Sequence, residues 1–235
     1  MLRNVSRNYS TFKSVDAMIG KKNNYQIGVN GFVKLIDVMP RIVPHDSTCD
    51  YAIAQAARVS YGTGDKDINL MDRDRDTNLI RYLLRHNHTS PFEMIEFKFY
   101  CVMPIFVARQ WLRHRTANVN EISGRYTKLS DSFYRPDNVF IQSKNNNQGS
   151  GVEANDELKK EFYDYLDESN IPYHLYKDLI DKGISREQAR IGLPLSINTE
   201  MYWKCDLHNL FNFLRLRMAN DAQLEIRQYA KSMYD

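Results

Sequence analysis

The apolar positions of this chain fall into short strand-like runs and longer helical spacings. Phe32-Val33-Lys34-Leu35-Ile36-Asp37-Val38-Met39 reads as a strand ended by Pro40. Residues 94–103 alternate like a half-buried strand. Asp46 can cap a helix running through Ala52, Ala56 and Ala57 towards Ser60. Residues 61–76 read as a loop, after which Leu79, Ile80, Leu83 and Leu84 line one side of an amphipathic helix. Pro104 suits the first turn of a helix over 105–113. Residues 142–156, rich in Asn and Gly, predict an exposed loop. A helical hairpin over 157–182 is interrupted near Ile171-Pro172. Ser185 with Gln188 forms a capping box for a short helix that stops before Pro194. Two further helices are predicted over 207–218 and 221–233. With no internal repeat and no clear linker, one mixed domain is the economical expectation.

The 207–218 helix has an unusual composition. At ~100° per residue, Leu207, Leu210, Phe211, Leu214 and Met218 share a stripe, while Phe213 and Leu216 lie off it. Such a helix is expected to be deeply buried. Arg217 points between the directions of Leu210 and Phe213, so its guanidinium needs an acid, a ligand anion or a carbonyl. His208, Asn212 and Arg215 form a separate polar stripe.

Composition narrows the class without choosing a function. The chain has 235 residues, 43% of them hydrophobic, and a formal net charge of +3. That length can bury a core without disulfides or structural metal. No run approaches the ~18–20 apolar residues of a membrane span, and +3 is too mild for bulk nucleic-acid binding. Cys49, Cys101 and Cys205 are scattered and form no C-x-x-C pair, which suits reduced thiols in the cytoplasm or another reducing intracellular compartment. Cys101 shares a face with Ile95, Phe97 and Phe99, so packing explains it better than nucleophilic chemistry. Residues 1–20 carry Arg3, Arg7, Lys13 and a single acid, with Leu2, Val5, Tyr9 and Phe12 at helical spacing. This faintly resembles a transit peptide, but a surface extension is the expectation.

Candidate chemistry concentrates in Arg113-His114-Arg115-Thr116-Ala117-Asn118-Val119-Asn120-Glu121-Ile122-Ser123-Gly124-Arg125-Tyr126. A basic helix end needs one or two cations. Three strong donors followed by amides, a hydroxyl, a glycine and a further arginine suit a planar anionic ligand instead, because Arg binds phosphate and carboxylate as a fork. Arg85-His86-Asn87-His88-Thr89-Ser90-Pro91-Phe92-Glu93 clusters imidazoles, hydroxyls and a carboxylate, but its His spacing is weak as a metal site. Phosphate-loop, dinucleotide-fold and G-x-S-x-G fingerprints are absent. This inventory fits a protein that holds an anionic ring-bearing substrate while a cofactor performs the difficult chemistry.

Together these residues resemble the flavin-dependent thymidylate synthases. The likeness rests on Arg113-His114-Arg115-x-x-x-x-Asn120-Glu121-x-Ser123-x-Arg125-Tyr126, Ala57-Arg58-Val59-Ser60 and His88-x-Ser90-Pro91-Phe92-Glu93. Ala108-Arg109-Gln110-Trp111, Ala189-Arg190-x-x-Leu193-Pro194 and Ala222-Gln223-x-Glu225-Ile226 extend it in the same order. The resemblance implies an α+β fold in a single mixed domain over 31–235, with a central antiparallel-rich sheet flanked by helices. Residues 1–30 fall outside it. It also implies a homotetramer whose active sites are shared between subunits.

The implied reaction is reductive methylation of dUMP to dTMP. Methylenetetrahydrofolate donates the carbon, and FAD reduced by NADPH carries the hydride; no cysteine nucleophile, metal, membrane or nucleic acid is involved. By the same resemblance, Gln110, Trp111, Leu112, Arg113, Glu121, Ile122, Ser123, Gly124, Arg125, Arg190 and Arg217 hold dUMP, with Arg217 activating the uracil. Ser60, Ser90, Glu93, Arg113, His114, Arg115, Thr116, Asn120, Glu121, Asp206, His208 and Asn212 hold FAD. His88 and Tyr126 lie on the folate side. The chain departs from the family pattern at Asn118, usually Ser, and at Asp206 and His208, commonly Asn and Arg. Two other readings use the same residues: a nucleotide- or RNA-binding module without redox chemistry, and a metal hydrolase built on His86, His88 and His114.

Overall fold

The computed structural model describes residues 12–14, 24–28, 30–44, 48–62, 73–146 and 148–235. Asp46 and residues 63–72 of the expected loop lie outside them. The strands are β1 (Phe12–Ser14), β2 (Asn24–Ile27), β3 (Gly31–Met39), β4 (Ile42–Pro44), β5 (Glu96–Pro104), β6 (Asn118–Glu121), β7 (Phe140–Gln142), β8 (Ser150–Glu153) and β9 (Asn198–Asp206). The helices are α1 (Asp50–Val59), α2 (Arg73–Arg85), α3 (Ile105–Trp111), α4 (Asp156–Ser169), α5 (Pro172–Asp181), α6 (Arg186–Ala189), α7 (Leu207–Arg217) and α8 (Leu224–Tyr234). Short 3-10 turns cover Phe92–Met94 and Arg190–Gly192.

This is a mixed α+β fold around an antiparallel sheet of five strands in the order β2-β3-β5-β9-β6. Three helix starts follow local chemistry. The Asn155 side chain accepts from the Leu158 amide and starts α4. Pro172, whose missing N–H costs nothing in a first turn, opens α5. Ser185 accepts from the Gln188 amide and opens α6, as its capping box predicts.

The chain packs as two compact units. Of the described residues, the first comprises those within 1–23, 35–98 and 204–212, and the second those within 24–34, 99–203 and 213–235. The division falls inside β3, β5, β9 and α7 rather than at a linker, so no shift in composition could announce it. The core of the first unit contains Val38, Val43, Ile53, Leu83, Phe92 and Ile95. In the second, Trp111 is fully buried with its ring 4.9 Å from Phe213, 5.7 Å from Trp203 and 5.8 Å from Tyr229. A smaller cluster joins Tyr173, Tyr176, Ala189 and Ile197. Gly31 must be glycine, because a Cβ there would stand 2.3 Å from the Tyr229 hydroxyl.

Several expectations need correction. The 142–156 stretch is not simply a loop: β7 and β8 pair across it. Gln142 Nε2 donates to the carbonyls of Asn146 and Gly149, so polar groups rather than an apolar face define this hairpin, and no period-two signal marks it. Phe12 lies in a strand paired with β4 rather than in a helix. Asn24–Ile27, within the stretch read as an extension, pairs antiparallel with β3 as an edge strand of the main sheet. Strand β9 was not anticipated, although Thr199, Met201, Trp203 and Cys205 alternate along it and are buried.

The α7 helix is not buried all round. Leu210 and Phe213 are buried, whereas Phe211, Leu216 and Met218 are 42%, 41% and 37% exposed. Leu207 is only partly buried, packed against the core of the first unit. The cysteine reading fares better, since Cys101 and Cys205 are buried and burial pushes both thiols up, which keeps them protonated. Among the described residues no helix is long and apolar enough to cross a membrane.

Candidate active site

In the second unit, α3 ends at Trp111 and the chain turns through Arg113 and His114 into edge strand β6. The first turn after the helix is closed by the Arg113 and His114 amides, which donate to the carbonyls of Gln110 and Trp111. Arg113, Arg115, Thr116 and Asn120 consequently stand exposed on a short polar segment. Glu121 follows, and its Oε1 accepts from Thr199 Oγ1 at 2.6 Å. The Ile122 amide donates to the Glu200 carbonyl at 2.9 Å, fastening the segment beyond β6.

The turn after Ile122 brings a distant arginine to this strip. Ser123 Oγ accepts from the Arg125 amide, and the Ser123 carbonyl accepts from the amides of Tyr126 and Thr127. Gly124 is buried, and a Cβ on it would stand 3.0 Å from Arg190 Cδ. The stem of Arg190 therefore lies close over Gly124, where a larger residue would have to push it aside. Arg125 Nε donates to Glu187 at 3.2 Å, and Arg186 donates to the Tyr126 carbonyl at 3.0 Å. Arg125, Arg190 and the Ser123-Gly124 backbone thus form one basic, hydroxyl-bearing corner.

Arg217 is half-buried at the end of α7, as its position predicts, but its partners are neutral. Its Nε donates to His114 Nε2 at 2.9 Å, and its Nη2 approaches the Gln110 carbonyl at 3.5 Å. Burial, followed by the charge of Arg217, lowers the His114 pKa to about 4, so the imidazole is neutral near pH 7. The Gln110 side chain donates to Gln223 Oε1. Trp111 and Leu112 differ in what they can offer: the indole is sealed in the core and leaves only backbone for a ligand, while Leu112 is exposed.

The first unit gathers another set. Ser60, His88 and Ser90 line a cleft of about 560 Å³ with Arg58, Tyr61, Tyr82 and Pro91. Its hydroxyls, imidazole and flat aromatic side chains are the donors and stacking faces that a ring-bearing phosphate ester requires, so this set fits a flavin nucleotide. Arg58 forms an ion pair with Asp76, and both side chains are largely buried. Glu93 sits exposed in the 3-10 turn after Ser90. His208 and Asn212 are half-buried on α7. Asp206 stands at the start of α7, and its two carboxylate oxygens accept from the backbone amide and side-chain amide of Asn209 at 2.9 and 2.7 Å. Among the described residues no group of three or more His, Cys, Asp or Glu could hold a metal.

Sequence reasoning assigned no role to Arg58, Tyr82, Thr199, Glu187 or Gln223. Arg58 and Gln223 stood inside recognised motifs and could have been found there. Thr199 was hidden with the unanticipated strand.

Arginine forks, amides and hydroxyls in this arrangement have the chemistry to bind an anionic, ring-bearing ligand. Similarity to known proteins sharpens that class. Residues 41–235 match the family model of thymidylate synthase complementing protein. The chain is 53% identical over 221 residues to a flavin-dependent thymidylate synthase of Dictyostelium discoideum, covering 92% of this chain and 71% of that protein. A namesake from Thermus thermophilus is 51% identical over 203 residues, covering 86% and 70%. The crystal structure of the UMP/dUMP methylase PolB from Streptomyces cacaoi, bound with 5-Br dUMP, is similar with a TM-score of 0.74 and 32% identity over 89% of this chain and 90% of that one. The chain belongs to the flavin-dependent thymidylate synthases.

Proposed function

We propose that this protein converts dUMP to dTMP with methylenetetrahydrofolate as carbon donor. FAD, when bound, supplies the hydride that it takes from NADPH. The observation that carries this reading is Arg217, a half-buried guanidinium held by an imidazole and a carbonyl and therefore still charged for a ligand. Positive charge at the uracil N3–carbonyl edge stabilises the negative charge that develops there as C5 becomes nucleophilic. Fixed charges of this kind are typically worth about 3–4 kcal/mol in the transition state. No thiol has to attack the ring, in keeping with the protonated Cys101 and Cys205.

Arg125 and Arg190 would take the dUMP phosphate as forks, with Gln110, Arg113, Glu121, Ile122, Ser123 and Gly124 completing its bed and Trp111 and Leu112 adding backbone. The groups that would hold FAD are Ser60, Ser90, Glu93, Arg113, His114, Arg115, Thr116, Asn120, Glu121, Asp206, His208 and Asn212. His88 and Tyr126 would face the folate. We assign these sets to active sites assembled from several subunits of a homotetramer, a state supported by the exposed apolar positions of α7.

The purified protein is expected to show a flavin absorbance band that dUMP perturbs, and to oxidise NADPH in a dUMP-dependent manner. A colourless protein that cannot be reconstituted with FAD contradicts the proposal. Salt-sensitive oligonucleotide binding in its place would favour the binding-module reading.

A further inference from the structure

Arg217 is oriented by an acceptor that is itself a titratable group. His114 Nε2 must offer a lone pair to receive the Arg217 Nε–H at 2.9 Å. An imidazole with an acceptor at Nε2 carries its single proton on Nδ1. The ring is fixed edge-on to Phe213, with centroids 4.9 Å apart at 68°, and Phe213 is fully buried. The Gln110 carbonyl approaches Nη2 of the same guanidinium, and the Gln110 side chain is tied to Gln223 at the start of α8. No carboxylate among the described residues pairs with Arg217, and burial is what acts on its guanidinium. The charged group acting on His114 is Arg217 itself.

We propose that His114 is a positioning residue for Arg217: its neutral, Nδ1-protonated imidazole aims the guanidinium without cancelling its charge. The inference rests on the proposed role of Arg217. A carboxylate in the same place would hold the arginine more firmly but neutralise it, and a charge already neutralised gains little from a developing enolate. A protonated imidazole could neither accept the bond nor tolerate the neighbouring cation. The lowered His114 pKa, from both burial and Arg217, keeps the ring in its accepting form through the neutral range.

His114→Gln and His114→Leu separate this role from general packing. Glutamine can place an acceptor oxygen near the Nε2 position, and leucine cannot. With FAD saturating, kcat for dTMP formation is expected to fall about 10²-fold in His114→Leu and by less than about tenfold in His114→Gln, with KM for dUMP changing less than kcat. Flavin content, read by absorbance, keeps weakened FAD binding distinct from misdirected Arg217. Equal rates in the two variants at saturating FAD, or a loss in His114→Leu that extra FAD fully restores, would overturn the proposal. Independently of activity, 15N NMR of the unliganded protein should report an Nδ1-protonated imidazole at pH 7 that remains neutral at pH 5; an Nε2-protonated tautomer overturns it. Near-normal turnover by Arg217→Ala sinks the function assigned to Arg217, whereas the tautomer tests the His114 contact by itself.

Discussion

Arg58 and Arg217 both tuck a guanidinium into the protein, one against the carboxylate of Asp76 and the other against the imidazole of His114. In the first pair the side chains are 14% and 9% exposed, and the carboxylate lies against the cation as a counter-charge. Removing that carboxylate would take a counter-charge from a largely buried guanidinium. In the second, the arginine is fixed in direction by neutral acceptors, and its charge stays available. The same residue type thus serves architecture in one unit and is free to serve chemistry in the other. Burial alone does not distinguish the two; the protonation state of the partner does.

Four perturbations would break or sharpen this contrast. The largest is expected from Arg217→Ala, which should lower dTMP formation by about 10³-fold while flavin absorbance and thermal unfolding stay close to wild type; unchanged turnover would erase the distinction. Asp76→Asn should instead act on stability. It removes a counter-charge from the largely buried Arg58, and urea unfolding should report a loss of about 3 kcal/mol. A stability equal to wild type would mean that Arg58 finds water or another partner at no cost.

Gly124→Ala tests the corner where Arg190 crosses the glycine. The new methyl group meets Arg190 Cδ at 3.0 Å and Leu129 Cδ1 at 3.3 Å. The expected outcome is a loss of about 1 kcal/mol in stability and a several-fold rise in KM for dUMP with a smaller change in kcat. The last perturbation is pH. The folded His114 pKa of about 4 lies below the ordinary value of 6.5, so between these values the unfolded chain binds a proton that the folded one does not. Stability should therefore fall as pH drops from 6.5 towards 4, and His114→Gln should flatten that part of the profile. An identical slope in wild type and variant would show that His114 is not the group responsible.

How far these features could be read from the sequence depends on the range over which each is determined. The Arg113–Tyr126 strip could be singled out because its donors follow one another along the chain, whatever the fold around them. Caps such as Ser185–Gln188 were legible because three residues suffice to form them. Arg217 was recognisable as a buried charge in need of a partner, but His114 lies 103 positions away, and only the fold brings them together. Glu121 and Thr199 are likewise joined from 78 positions apart. Asp206 shows how one residue type carries two readings: a carboxylate before a helix serves equally well as a ligand donor and as a cap, and here its oxygens accept from Asn209. Helix α7 looked fully buried because hydrophobicity says how much apolar surface exists, not whether this chain or a neighbouring one covers it.

The central claim is that a charged, neutrally held Arg217 lets this protein methylate dUMP with reducing equivalents from a flavin. The most direct measurement is dTMP formation by the FAD-loaded protein supplied with dUMP, methylenetetrahydrofolate and NADPH, with each component omitted in turn. The account predicts dTMP from the complete mixture, and none when dUMP, the folate or the reductant is left out. A flavin-loaded protein that yields no dTMP from the complete mixture, or that yields it without any reductant, would contradict it.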